Sequence, residues 1–436
     1  MSEKDDLPVT IYFYPLLDKE KIKNKESSIY LQSLEISAEN ESILYIHIPY
    51  CISHCLFCPF NTKVISLSQN IANYIDALVK EAEMIAPYVR RINFRAVYYG
   101  GGSPSIISGS DFYYLHNKLK EIFGFADDVE ISVEGELRTL ASTERLNVYR
   151  QIGVKRISFG LQTFDNKLRK LFNMKYGTEE AISMIKKVAK WKFNELNADM
   201  MYGLPDQDAE HLLVDIQKLN QIPVDSIDYY RLHPYALPKQ YKGIWIQKAN
   251  KLKPQFIKII IRELEKVGFK NVCDQVYSKV GLSQYERLLW GNVTSDIPAY
   301  MVGIGASARG YLGGKSYMNI ATADEYIKQV SQGILPIDKI SSRVNETERK
   351  RVFSPKYFEI RKKIIEDSED TIKSNILDWE KRGWLIEKAE NYDITNRGKV
   401  FVDEMIIGLM SYRQNKTAIG LDEEISTIDN LRTGRF

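Results

Sequence analysis

Residues 45–63 read YIHIPYCISHCLFCPFNTK. Three thiols, Cys51, Cys55 and Cys58, stand at spacing C-x3-C-x2-C directly after the apolar run Ile43 to Ile48. That run is predicted to be a strand, so the thiols lie on the loop leaving its C-terminal end. Three thiolates on one loop can ligate three irons of a 4Fe-4S cluster, leaving the fourth iron open to a small molecule's amine and carboxylate. The competing reading is a zinc site with His47 or His54 as fourth ligand. Zinc loops pair their thiols and place a second pair far away, and the only other cysteine is Cys273. Three thiols already meet the iron count, so His47 and His54 read as packing or hydrogen-bonding imidazoles.

The rest of the composition agrees with a reduced, soluble chain. Four cysteines in 436 residues, three of them clustered, are a metal-site pattern and not a disulfide framework. Lys and Arg total 60 against 57 Asp and Glu, a formal charge of +3, which gives no reason to expect nucleic acid or an anionic membrane as partner. The opening MSEKDDLPVT has no basic-then-apolar signal, and no long apolar run follows. The expected location is the cytoplasm.

Downstream of the thiols, helical and strand patterns alternate. Helices are predicted over 68–90, 110–123, 142–151, 178–191 and 208–220, and strands over 95–99, 129–133, 154–159, 196–201 and 226–231. Six strands alternating with helices predict an α/β fold, a parallel sheet curved into a partial TIM-like (β/α)6 barrel. Active residues of such a barrel gather at strand C-terminal ends, and four motifs fall there. YYGGGSP (98–104) offers glycines that let a backbone approach a ligand closely. VEGELR (133–138) delivers carboxylates, Glu134 being favoured over Glu136. SFGLQTF (158–164) and NADMMYGLP (197–205) bring Gln162 and Asp199 to apolar strand ends, where buried polar groups need partners.

Taken in order, these motifs resemble the radical S-adenosylmethionine (SAM) superfamily, and within it oxygen-independent coproporphyrinogen oxidase and its relatives; GIGASA (303–308) is similar to that family's glycine-rich segment. The resemblance implies a 4Fe-4S cluster on Cys51, Cys55 and Cys58, and two SAM molecules. Tyr45, Gly101, Gly102, Ser103 and Glu134 match positions around the cluster-bound SAM, and Phe57, Gln162, Asp199 and Met201 match positions around the second. Tyr45, Gln162 and Asp199 are the expected catalytic residues. Two departures weaken a decarboxylase assignment: Phe60 replaces a fourth cysteine, and Met174, beside Lys175, replaces an arginine expected to hold a SAM carboxylate. VEGE, YGTEEAISMIKK and SYMNIATADEYIKQVSQG (316–333) are similar to the anaerobic heme-degrading methyltransferases. That subgroup implies transfer of a SAM-derived carbon to heme or another tetrapyrrole, with ring opening and iron release, fed by a low-potential donor such as flavodoxin or ferredoxin. The alternatives are a natural-product C-methyltransferase or cyclopropanase, a coproporphyrinogen dehydrogenase and a heme chaperone.

The expected domains are an N-terminal extension (1–42), the partial barrel (43–240), a barrel extension (241–335) and a C-terminal winged-helix-like unit (336–436). The last is predicted from helices over 354–366, 368–382 and 396–411 around a hairpin at 383–395, and is read as a lid and not a DNA-binding wing. Tyr229, Tyr230, Arg231, His233 and Tyr235 offer aromatic surface and a cation for a macrocycle bearing propionates, or else pack as a strand end. Cys273 reads as an inert core residue, with hydrogen-atom donation as the alternative.

Overall fold

The computed structural model describes residues 13–18, 21–22, 24–67, 71–232, 239–412 and 414. Seven strands in it run parallel: β1 (Ser42–Ile48), β2 (Phe94–Gly101), β3 (Glu130–Gly135), β4 (Val154–Gln162), β5 (Glu195–Tyr202), β6 (Ser226–Arg231) and β7 (Met301–Ile304). β1 to β6 stand side by side in chain order, and β7 joins the free edge of β1, with Tyr45 opposite Gly303 on one side and Tyr98 on the other. The GIGASA segment thus begins as a seventh parallel strand that alternation alone did not announce. Hairpin strands extend the sheet at both edges: Arg309–Leu312, Lys315–Asn319 and Ile337–Ile340 beyond β7, and Val276–Ser278 and Lys270–Cys273 beyond β6.

Parallel strands are covered on both faces, which explains why β1 (SILYIHI) and β5 (ELNADMMY) are buried almost throughout. The helix Ala72–Ile85 turns Tyr74, Ile75, Leu78, Val79, Ala82 and Ile85 onto the sheet. Burying each large aliphatic side chain is worth roughly 1.5–3 kcal/mol. The helix Gly109–Phe123 begins where Ser108 accepts a hydrogen bond from the Asp111 N–H and ends at Gly124. Asp208 caps Ala209–Leu219 in the same way. All seven strands point the same way, so their C-terminal ends form one rim.

The C-terminal unit departs from expectation in three places. No helix spans 354–366: the chain makes a turn of 3-10 helix at Ser354–Tyr357, passes Phe358 at φ +62°, and forms a strand, Glu359–Arg361. Pro355 and the positive φ stop the helix, and the strand pairs with Asn391–Ile394, making the expected hairpin a three-stranded sheet. Helix Asp370–Lys381 forms as predicted, whereas 396–411 holds a 3-10 turn, Gly398–Phe401, and a shorter α-helix, Val402–Gly408. The expected boundary at 336 falls inside the main sheet, because Ile337–Ile340 pairs with Lys315–Asn319.

Candidate active site

The cysteine loop leaves β1 and is closed at its base by a two-residue parallel pairing of Tyr50–Cys51 with Lys63–Val64. The Lys63 N–H donates to Pro49 O (2.7 Å), the Ile65 N–H to Cys51 O (2.9 Å) and, inside the loop, the Cys58 N–H to Cys55 O (3.0 Å). The glycine segment is bonded to the same base: Gly102 N–H donates to Ile48 O and Ser103 N–H to Tyr50 O, both at 2.8 Å. A Cβ on Gly102 would lie 2.7 Å from Tyr50 O and 3.1 Å from Cys51 Sγ. One on Gly101, at φ +108°, would lie 2.8 Å from the His47 ring. These glycines therefore let β2 approach the cysteine loop itself, which is why no other residue type serves there.

The donor chemistry at the three cysteines fits a cluster. Burial pushes the thiols up, Cys51 and Cys58 to about 12 and Cys55 to about 11. Thiols so placed become thiolates when a positive partner such as iron replaces the proton. Among the described residues, no three His, Cys, Asp or Glu side chains converge around a single metal-ion position.

Strand alternation turns the remaining groups into the barrel. Tyr45 stacks on Tyr98 (ring centroids 6.1 Å), which stacks on Tyr285 (3.9 Å). The Tyr45 hydroxyl meets His47 Nδ1 at 3.0 Å, and Nε2 of this buried imidazole has no partner. Burial holds His47 neutral, its pKa lowered to about 4. Glu134 accepts hydrogen bonds from the Gly101 N–H and the Tyr98 hydroxyl, yet burial still pushes its carboxyl up to about 7. Ser103 spends its hydroxyl within the protein, accepting from the Glu136 N–H (3.0 Å) and meeting Ser105 (3.2 Å).

Asp199 sits opposite Asp228 on the neighbouring strand. Its Oδ1 accepts from Ser158 (3.2 Å) and Asn197 (2.9 Å), and burial followed by the nearby Glu134 raises it to about 8. Gln162 occupies an irregularity in β4 at φ +68°, its amide folded over Gly160, with one long contact from the Tyr230 hydroxyl (3.4 Å). Phe57 meets Phe172 edge-on, and both pack with Met174, Met201, Leu204 and Leu232. The position where an arginine was expected is thus part of an apolar cluster.

The 229–235 group divides. Asp228 and Tyr230 face the interior with Asn197 and Gln162, while Tyr229 points to the other side of the sheet, lining a cavity with Lys253, Asn271 and Asp403. His233 and Tyr235 lie outside the described residues. Cys273 is fully buried among Val276, Trp290, Val293 and Phe353, which corrects the hydrogen-donor alternative in favour of core packing.

Sequence reasoning missed a buried charge network at the barrel floor. Arg156, 2% exposed, is bonded to Glu195 and Glu286 at 2.9 Å each and lies 3.7 Å from Asp228. The available signal was a charge at an inward position of an otherwise apolar strand, in VKRISF and again in SIDYYR. Glu286 had no such signal, since it arrives from the far side of the sequence on the short helix Gln284–Leu289.

A cysteine loop at the C-terminal rim of a partial barrel, with acidic, amide and glycine groups opening on the same interior, defines a radical SAM domain. Residues 45–219 match the Radical SAM superfamily, and that stretch is a radical SAM domain. Within that superfamily its homologues are heme chaperones, coproporphyrinogen oxidases and anaerobilin synthase. The chain is 27% identical over 379 residues to a heme chaperone of Buchnera aphidicola, covering 83% of this chain and 96% of that protein. It is 28% identical over 309 residues to an anaerobilin synthase of Escherichia coli O157:H7, covering 70% and 68%. The solved coproporphyrinogen III oxidase of Escherichia coli superposes with a TM-score of 0.75 at 20% identity, over 88% of this chain and 93% of that one, a likeness of fold. Among the described residues no helix is long and apolar enough to cross a membrane.

Proposed function

We propose that the protein cleaves SAM reductively at a 4Fe-4S cluster held by Cys51, Cys55 and Cys58, and transfers a SAM-derived methyl or methylene carbon to an sp2 carbon of heme or another tetrapyrrole, opening the ring. The observation that carries this reading is the shared interior: the cysteine loop leaves the C-terminal end of β1, Glu134 and Gln162 lie at the ends of β3 and β4, and Asp199 lies within β5 of the same parallel sheet. A bound cluster supplies one electron at low potential, at the end of a range reaching roughly −700 mV, which reductive cleavage of a sulfonium requires.

The chain's own groups orient and enclose. Gly101, Gly102 and Ser103, bonded to the base of the cysteine loop, would offer a backbone edge beside a cluster held by the three cysteines, and Tyr45 with Tyr98 would offer an aromatic wall for the adenosyl part. Glu134 and Asp199, both carboxyls with raised pKa values, suit a ribose hydroxyl and a cationic ammonium or sulfonium, which would draw them into the ionised form. Phe57, Gln162 and Met201 line the region assigned to a second SAM. Phe60 is 55% exposed beside the loop, a position suited to a macrocycle face. A low-potential donor such as flavodoxin or ferredoxin would reduce the cluster.

Anaerobic incubation of the reconstituted protein with reductant, heme and methyl-labelled SAM tests the reading. It expects 5'-deoxyadenosine and S-adenosylhomocysteine together, and label in an opened tetrapyrrole. Deoxyadenosine without homocysteine sinks the transfer step. A second reading, heme trafficking, is favoured by the heme-chaperone relative matched over 96% of its length; it expects heme binding uncoupled from SAM consumption.

A further inference from the structure

Arg309 opens the strand Arg309–Leu312, which pairs antiparallel with β7, Met301 standing opposite Tyr311. Two residues further along the same register Arg309 stands beside Gly303, and a Cβ on Gly303 would run into the Arg309 carbonyl. Gly303 is in turn opposite Tyr45 on β1. Residues paired across neighbouring strands share a face of the sheet, so Tyr45 and Arg309 look onto the same interior with only a glycine between them. Two strand spacings, about 10 Å, separate their main chains. Both side chains are half-buried, so each keeps access to the space between.

The guanidinium carbon lies 4.9 Å from the centre of the Phe13 ring. That contact covers a face of the cation and leaves the N–H groups at its edge unspent. Among the described residues no carboxylate, carbonyl or hydroxyl pairs with it. Arg156, on the barrel floor, has two carboxylates at 2.9 Å each. The contrast carries through to their charges. Burial pulls Arg309 down to about 10, opposed by the Tyr45 side chain, whereas Arg156, despite burial, is raised by Glu195 and Glu286. Tyr45 and His47 do not supply a negative charge, since burial holds the phenol protonated and the imidazole neutral. A guanidinium offers a planar fork of donors that a carboxylate meets with two parallel hydrogen bonds. Leaving such a cation half-buried and unpaired is costly unless an anion arrives.

We propose that Arg309 binds a carboxylate of the substrate, a propionate of the tetrapyrrole, and so fixes which edge of the macrocycle faces the β7 side of the barrel. The proposal rests on the tetrapyrrole reading given above. SAM carboxylates fit this position less well. The open iron of a cluster takes the first. Gln162, Asp199 and Met201, matched to the second, lie on β4 and β5, with β7, β1, β2 and β3 between them and Arg309 in the sheet.

Anaerobic absorbance titrations of the reconstituted full chain with deuteroheme and with deuteroheme dimethyl ester compare a ligand that has free propionates with one that has none. SAM binding is measured beside them by equilibrium dialysis. Wild type should prefer the free acid. Arg309→Gln should weaken the free acid about tenfold, the scale of one charge-assisted pair, and leave the ester and SAM at wild-type affinity. Arg309→Lys, which keeps the charge and loses the fork, should retain part of the preference. Equal binding of acid and ester by wild type, equal losses for both in Arg309→Gln, or a loss confined to SAM would overturn the proposal and leave the tetrapyrrole reading intact. Wild type that binds neither heme would overturn that reading, and this proposal with it. If Arg309→Gln does not fold, as judged by circular dichroism, the comparison is made in Arg309→Met, whose unbranched chain keeps the packing on Phe13. Loss of folding in both would assign the arginine to the fold and overturn the proposal.

Discussion

Gly102→Ala isolates what the glycine segment does. Gly102 does not have a positive φ, so alanine brings no backbone strain, only a methyl group. That methyl would stand 2.7 Å from Tyr50 O, 3.0 Å from Ile48 O and 3.1 Å from Cys51 Sγ. Two of the three are backbone oxygens already holding this segment through the Ser103 and Gly102 N–H groups, so neither can swing aside as a flexible side chain could. The base of the cysteine loop must move, and overpacking of this kind costs about 1–3 kcal/mol. Gly124→Ala is the control: its φ of +64° is strained for alanine, at roughly 1–2 kcal/mol, but no atom lies within 4 Å of the new Cβ. Urea unfolding should register comparable losses for both variants. Iron and sulfide content after reconstitution should fall in Gly102→Ala and stay at the wild-type level in Gly124→Ala. Full cluster content in Gly102→Ala at unchanged stability would refute the claim that this glycine exists for the approach of β2 to Cys51.

Other expectations follow from the buried charges and from Cys273. Glu134 and Asp199 are raised from 4.5 and 3.8 to about 7 and about 8, so between pH 4 and 8 the folded chain holds protons that the unfolded chain has lost. Stability of the ligand-free protein should therefore fall as pH rises through that window, and Glu134→Gln should flatten the slope in thermal unfolding across pH. Arg156→Met leaves Glu195 and Glu286 without their shared cation and should cost about 3–5 kcal/mol, as read by denaturant titration. Cys273→Ser puts a hydroxyl into a dry core and should cost about 1–3 kcal/mol, while deoxyadenosine and labelled product per cluster remain at wild-type levels. A drop in product at equal cluster content would return Cys273 to the chemistry.

Much of the site was legible because its signals are local. A strand run, a thiol spacing and a run of glycines each declare themselves within about ten residues, and the rule that parallel strands present their C-terminal ends together did the rest. Alternation by itself would put Glu134 and Glu136 on one face; what separates them is that the strand ends at Gly135, so that Glu136 already lies at the start of the short helix Leu137–Leu140. Alternation did carry the information that splits Tyr229 from Tyr230, although the aromatic cluster DYYRLHPY drew it into one group. The C-terminal unit was harder: Pro355 marks a break, but the strand Glu359–Arg361 exists only because Asn391–Ile394 is there to pair with it.

Sequence by itself determined the cysteine loop, the order of strands β1 to β6 and the residues at their ends, since each depends on spacing along one short segment. Tertiary structure alone decided the seventh parallel strand and the answer of Glu195 and Glu286 to Arg156. Those depend on which distant segments meet, and the energy of a charge depends on what lies a few ångströms away in space, whatever its distance along the chain.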